Sequence, residues 1–412
     1  MIIHQPEIVF VDDEVRLQTR VETRAADSGL PEFLWFSYPR HYAGMLSTRG
    51  DGPLAALILL ATVLGEDLEC RAEISPRLLY NLDQYQRVFH LWEPKVHKLV
   101  DVRAEKVSPP PAAYPQAGFA AAFSGGVDSL FTLKQALTPS LQHPQRQLKY
   151  GLFMQGSPDL PLIYTQKFEQ LVQKYSVLAQ ELRIELIPVR TNLMEFVANR
   201  ISLKAMLEAP LAGASLGLSP ILTGLLVPTG RPYEQYHYLT ANTLTTYLMA
   251  TETFEMVCNG AGFTRLEKTL AISDWAPAQK NLRVCFGWNH PTSMNCSNCS
   301  KCLRTRMDLN VIGRLDQVTT LKSPFTVKDV LLWGRWMDTS YGWEKDLLLY
   351  AWKQRKEMVP AILLGMLIGF PRDWLRKNLP GWVKKPIFRL TAEKDPHSVF
   401  KKNADTGEGK RI

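Results

Sequence analysis

The sequence predicts an α/β protein, with an open, mostly parallel five-stranded sheet carrying helices on both faces, a small α+β domain before it and a helical extension after it. Three observations lead there. Short apolar runs alternate with amphipathic helical stretches between residues 118 and 227. A proline-rich break, Ser108-Pro-Pro-Pro-Ala-Ala-Tyr-Pro115, separates that rhythm from what precedes it. Beyond Ser323 the pattern turns helical and basic. The expected organisation is an N-terminal domain over 1–107, a linker over 108–116, the α/β domain over 117–322, a basic helical extension over 323–390 and a frayed tail over 391–412.

Taken in order, Ile8–Thr23 alternates as a hairpin or bent strand pair, and Glu32–Tyr38 is a second strand. Leu54–Leu64 reads as a buried helix, Cys70–Ile74 as a strand, Pro76–Trp92 as a helix with Leu and Tyr on one face, and Val96–Val107 as a strand. The prolines that follow can continue neither a helix nor a central strand. Gly118–Phe123 is short, small and apolar, as a buried parallel strand must be. Ser129–Leu137, Tyr164–Leu182 and Met194–Leu207 are expected helices, alternating with strands at Lys149–Met154, Ile184–Val189 and Pro220–Val227. In the extension the helices are Val327–Trp336, Lys345–Glu357 and Pro360–Phe370.

The turn after the first parallel strand, Ser124-Gly125-Gly126-Val127-Asp128-Ser129, carries the chemistry. Two glycines between a buried strand and a helix let the backbone take positive φ and bring its N–H groups to an anion. The helix N-terminus adds unpaired donors and partial positive charge. The hydroxyls of Ser124 and Ser129 can complete the cradle, and Asp128 can hold Mg²⁺ between phosphates. No Walker-type lysine follows the glycines, which argues against a P-loop NTPase. Gln155 and Asn192, after the second and third strands, are assigned to the same nucleotide-binding rim, although Asn192 serves equally well as a helix cap. Asp159 fits either a ribose or metal contact or a turn. Tyr233, Tyr236, His237 and Tyr238 fit a substrate pocket or loop packing.

This strand–SGGxDS–helix unit resembles the PP-loop of the ATP pyrophosphatases, the superfamily of GMP, NAD and asparagine synthetases, tRNA lysidine synthetase and tRNA sulfurtransferases. The resemblance implies a sheet of the adenine nucleotide alpha hydrolase-like (HUP) type. It also implies a shared first step, in which ATP adenylates a carbonyl or carboxylate oxygen, pyrophosphate leaves, and a nucleophile then displaces AMP.

Four of the six cysteines, Cys285, Cys296, Cys299 and Cys302, fall at C-x10-C-x2-C-x2-C, a spacing that argues for metal rather than disulfides. Four thiolates suit tetrahedral Zn²⁺, an iron–sulfur cluster being the rival, and Lys301, Arg304 and Arg306 are placed to offset the negative charge. Cys70 and Cys258 read as buried thiols. With the PP-loop in the same chain, the spacing resembles 7-cyano-7-deazaguanine synthase (QueC) and its relatives, over roughly residues 117–315. There the four cysteines hold structural zinc, and Arg265 and Lys268 match a basic pair that precedes them, implied here as phosphate or acyl-adenylate contacts. The family's substrate-reading D-Y-S-G-Y-P-D-C-R type run is missing, and Pro228–His237 stands in its place. A paralogue is implied, of the kind found in bacterial modification and anti-phage operons.

The chain is 46% hydrophobic and 21% charged, as folded globular chains are. Pro53–Leu64 and Val359–Phe370 are shorter than the ~20 residues a bilayer demands, so both are expected to be buried helices. Met1–Phe10 lacks a basic start and a cleavage site. A cytoplasmic protein without a membrane partner is expected. Of the net charge of +8, +7 lies from Glu344 onward, where 15 Lys and Arg face 8 Asp and Glu. The leading expectation is a ligase using ATP, Mg²⁺ and Zn²⁺ that joins a small-molecule carboxylate to an amine donor. The rivals are tRNA thiolation or lysidine-type modification, and a non-catalytic nucleotide-binding partner protein. The flanking regions are expected to recruit a protein or nucleic-acid acceptor or to form a homodimer interface; the sequence selects none of these.

Overall fold

The computed structural model describes residues 1–24, 29–141, 143–202, 205–233, 242–285, 294–337 and 342–379. The chain divides into two compact units. The first comprises Met1–Ser124, Thr132–Gly230 and Tyr236–Ala261; the second comprises Gly125–Phe131, Arg231–Gln235 and Gly262–Ile412.

In the first unit the elements run β1 (Ile2–Ile3), β2 (Glu7–Val11), β3 (Glu14–Glu22), β4 (Phe33–Pro39), α1 (Asp51–Leu64), β5 (Leu68–Ile74), α2 (Pro76–Trp92), β6 (Val102–Val107) and β7 (Gly118–Ala122). The helix α3 (Val127–Leu137) crosses the division of the chain. Then come β8 (Leu148–Gln155), α4 (Thr165–Glu181), β9 (Glu185–Thr191), α5 (Leu193–Val197), α6 (Ala209–Gly217), β10 (Leu222–Pro228) and β11 (Glu255–Asn259).

The protein is α/β, but the five-stranded sheet has to be corrected to one mixed sheet of eleven strands, ordered β11-β10-β7-β8-β9-β4-β3-β1-β5-β6 with β2 on β3. From β11 to β9 every pairing is parallel. There the expected sheet does not end. β4 joins β9 antiparallel, Phe36 opposite Thr191 and Ser37 opposite Arg190, so the N-terminal strands continue the sheet rather than forming one of their own. The physical reason is the edge. An open β9 would present unpaired backbone groups, and the Asn192 side chain extends the seam by accepting from Trp35 N–H and donating to the Phe33 carbonyl. The separation of β4 from β9 by some 150 residues, with prolines between, hid this pairing from sequence reading.

Side chains alternate across β8 as the pleat requires. Leu152 and Met154 join the large core with α1, α5 and α6, whereas Phe153 points the other way, onto Phe168 and Tyr175 of α4. Helices therefore cover both faces. α1 is enclosed from Asp51 to Thr62, as its apolar run predicted. The helix α6, unrecognised in the sequence, packs on it so closely that a Cβ on Gly52 would stand 2.9 Å from the Gly213 carbonyl oxygen. Its small residues give no amphipathic period, because close approach rather than a stripe selects them. The helix expected over Met194–Leu207 stops at Val197, and the strand expected from Val96 begins only at Val102.

The second unit is helical: α7 (Arg265–Ser273), α8 (Ala276–Asn281), α9 (Ser300–Ile312), α10 (Val327–Arg335), α11 (Trp343–Gln354) and α12 (Val359–Asn378). Its core joins Leu266, Leu303, Met307 and Val311 to Trp333, Leu347 and Ile362. Leu282–Val284 forms no strand. The run at Val359–Phe370 is not the buried helix expected: it continues to Asn378 and leaves one side open. Tyr236, His237, Tyr238 and the tail over 391–412 lie outside the described residues.

Candidate functional site

The glycine-rich turn and the first helical turn after it, Gly125–Phe131, belong to the second unit. Gly125 sits at φ 75, a conformation that favours glycine. The carbonyl of Gly126 closes the loop, accepting from Leu130 N–H at 2.9 Å and from Ser129 Oγ at 3.1 Å. Val127 and Ser129 are buried, and Ser124 is exposed.

Asp128 meets both members of the basic pair. Its carboxylate accepts from Arg265 Nη1 and lies 3.5 Å from Lys268 Nζ. A capping box, Thr264 with Glu267, starts α7 and places these two cations three residues apart on one side. Both are buried, Lys268 to 1% exposure, with its ammonium 6.0 Å from the centre of the Phe131 ring. Burial pulls Lys268 below its ordinary value despite the pull of Asp128, and the Arg265 charge adds to the lowering. For Asp128 burial acts upward, but the Arg265 and Lys268 charges outweigh it and hold the carboxyl below its ordinary value. Arg265 Nε is buried without a hydrogen-bond partner among the described residues. A guanidinium N–H left in that state is costly unless a ligand meets it.

Asn192 and Gln155, assigned to the same rim by sequence, belong to the other unit and have structural partners. Asn192 holds β4, as above. Gln155 Nε2 braces the carbonyls of Pro161 and Leu162, while its Oε1 is buried without a partner among the described residues. Asp159 stands in the turn closed by the Ser157–Leu160 bridge.

The four cysteines come together as their spacing predicted. The four Sγ atoms lie within 4.8 Å of one another, with Cys285–Cys299 at 3.7 Å and Cys296–Cys302 at 3.9 Å. A tetrahedron with metal–sulfur bonds of 2.3 Å has edges of about 3.8 Å, so the group can hold a metal ion such as zinc. The turn supports it: Ser297 takes φ 63, and Cys299 N–H donates to Cys296 Sγ at 3.3 Å. Contacts with Cys285, Cys299 and Cys302 drive the Cys296 thiol down, and the same mutual contacts push Cys302 up.

Two braces that the sequence did not reveal hold this centre. Asn295 uses its whole amide, accepting from the N–H groups of Val284 and Cys285 and donating to the carbonyls of Leu282 and Thr320. Arg306, expected merely to offset charge, is fully buried. It makes a two-pronged pair with Asp329 and reaches the carbonyls of Ser297, Lys322 and Pro324. Two residues earlier on α9, Arg304 lies over the Trp343 ring at 3.8 Å, and its charge helps lower Asp128. Asp308, one turn beyond, is buried with Oδ2 unpartnered among the described residues, and burial pushes it up to about 6. The cysteine turn, α9 and the Asp128 cluster all belong to the second unit. No family model, no curated protein and no solved structure matches this chain; the resemblance stands on the loop and the cysteine spacing alone.

Proposed function

We propose that this chain is an ATP-dependent ligase of the PP-loop class. A carboxylate attacks the α-phosphate of ATP, the bond to the β-phosphate breaks, and pyrophosphate leaves. An amine then attacks the acyl-adenylate, giving an amide, AMP and a proton; a nitrile would need a second activation of that amide. The observation that carries this reading is the buried Arg265–Lys268 pair against Asp128 at the glycine turn, with a guanidinium N–H unmatched. Charge grows on the departing pyrophosphate, and fixed cations and N–H groups in a dry site stabilise it most. Asp128 orients the cations in the resting state and is the group that would take Mg²⁺ arriving with the nucleotide. Zn²⁺ at the cysteines would act structurally, fixing the start of α9. The carboxylate substrate is of the 7-deazaguanine type, and the setting a cytoplasmic modification or anti-phage pathway, on the family resemblance alone.

The test is pyrophosphate release from ATP with a panel of carboxylates including 7-carboxy-7-deazaguanine, beside Asp128→Ala and Lys268→Ala. Release with one member, lost about 100-fold or more in either variant, supports the reading. No release with any carboxylate while ATP still binds would replace it with a nucleotide-binding partner protein. Acid-labile sulfide with iron in the purified chain would instead favour tRNA chemistry.

A further inference from the structure

α12 is apolar along most of its length, VPAILLGMLIGFPRDWLRKN. A helix apolar all round is ordinarily enclosed, yet this one is enclosed on one side only. Glycines fix that side. A Cβ on Gly365 would fall 2.4 Å from the Trp333 ring, and one on Gly334 of α10 would fall 2.5 Å from the Gly365 carbonyl oxygen. Backbone lies against backbone, which sets the rotation of α12 and buries Ile362. The other side carries Pro360, Leu363, Leu364, Leu367, Phe370 and Trp374 at three- and four-residue spacing, all exposed, Leu367 to 73% and Trp374 to 63%. At 1.5 Å per residue the strip from Pro360 to Trp374 is about 21 Å long.

The exposed charges of the three helices α10 to α12 are mostly basic. Among the described residues of α10 to α12, the exposed ionisable side chains are Lys328, Lys345, Lys353, Lys356 and Lys377, the last paired with Asp373, against Glu357. Asp329, Glu344 and Asp373 are buried. We propose that α12 is an interfacial membrane helix, its exposed strip seated at the head-group level of an anionic bilayer with the lysines meeting lipid phosphates. A second copy of the chain would bring like charges together. An acidic protein would neutralise them, but a strip of large aliphatics ending in Phe370 and Trp374, with the Trp374 indole N–H as its one polar group, suits a fluid surface. By length and composition the stretch Lys356–Leu375 could cross a bilayer, but the packing of Gly365 against α10 holds it along the unit instead.

The experiment is co-sedimentation of the full chain with phosphatidylglycerol–phosphatidylcholine vesicles and with phosphatidylcholine alone. Binding to the anionic vesicles is expected, weakened by about 0.5 M salt and cut roughly tenfold or more by Leu367→Glu. Because Leu367 is exposed, the variant should keep its melting temperature. Failure to sediment with either vesicle, or binding indifferent to Leu367→Glu, overturns the proposal. So does a dimer in light scattering that Leu367→Glu splits, which would give the strip to a second copy.

Discussion

Replacing Arg306 by alanine removes the side chain that ties the cysteine turn to α10. The guanidinium is wholly buried, with bonds of 2.8 and 3.2 Å to Asp329 and of 2.8, 3.0 and 3.1 Å to the carbonyls of Lys322, Ser297 and Pro324. Breaking a buried ion pair from one side costs about 3–5 kcal/mol, because the remaining charge stays unpaired. Thr326 still donates to Asp329, which places the expected loss toward the lower figure. At ~2–4 °C per kcal/mol for a domain of this size, the melting temperature should fall by roughly 6–15 °C. The pair also sets a pH window. Burial raises the Asp329 carboxyl, but bonds from Arg306 and Thr326 outweigh it, so the folded value is lowered. A lowered carboxyl contributes stability above its unfolded value, near 4, and loses it as pH falls through the folded value. The deficit of Arg306→Ala should therefore be full at pH 7 and shrink toward pH 3. The assays are thermal unfolding across pH and metal content of the purified variant, with reduced metal retention expected. A melting temperature within 2 °C of the parent at pH 7, with metal undiminished, would refute the bracing role.

Two further outcomes follow from the packing. Asp308 is pushed up to about 6 from 3.8, so its contribution is complete below pH 4 and is lost as pH rises through 6. Asp308→Asn should thus gain about 2–3 kcal/mol at pH 8 and nothing at pH 4, and a pH-independent difference in unfolding free energy would sink that account. Gly213→Ala places a Cβ 2.3 Å from the buried Phe36 ring. It should destabilise by about 1–3 kcal/mol in denaturant titration, and an unchanged midpoint would mean that Phe36 can move aside.

What could be read from the sequence depended on range. The turn at Gly125–Gly126, the helix after it and the cysteine spacing are local, so backbone chemistry over a few residues marked them. The parallel run β7 to β9 showed for the same reason, since each strand is a compact apolar segment between helices. α6 did not show, because Gly213 and its neighbours are selected by contact with α1 and Phe36, not by a period. Arg306 looked like a surface counter-charge; only its burial makes it a brace.

By itself the sequence determined the α/β class, the strand–glycine–helix turn and the set of four cysteines with the spacing of a metal site, because those are properties of neighbouring residues. Tertiary structure decided that β4 closes the edge of β9, that Asn192 serves that seam, that Asp128 meets Arg265 and Lys268, and that α12 exposes its apolar strip. Each of these depends on groups far apart in the chain, brought together by unpaired backbone edges, unneutralised charge and the close approach that glycine permits.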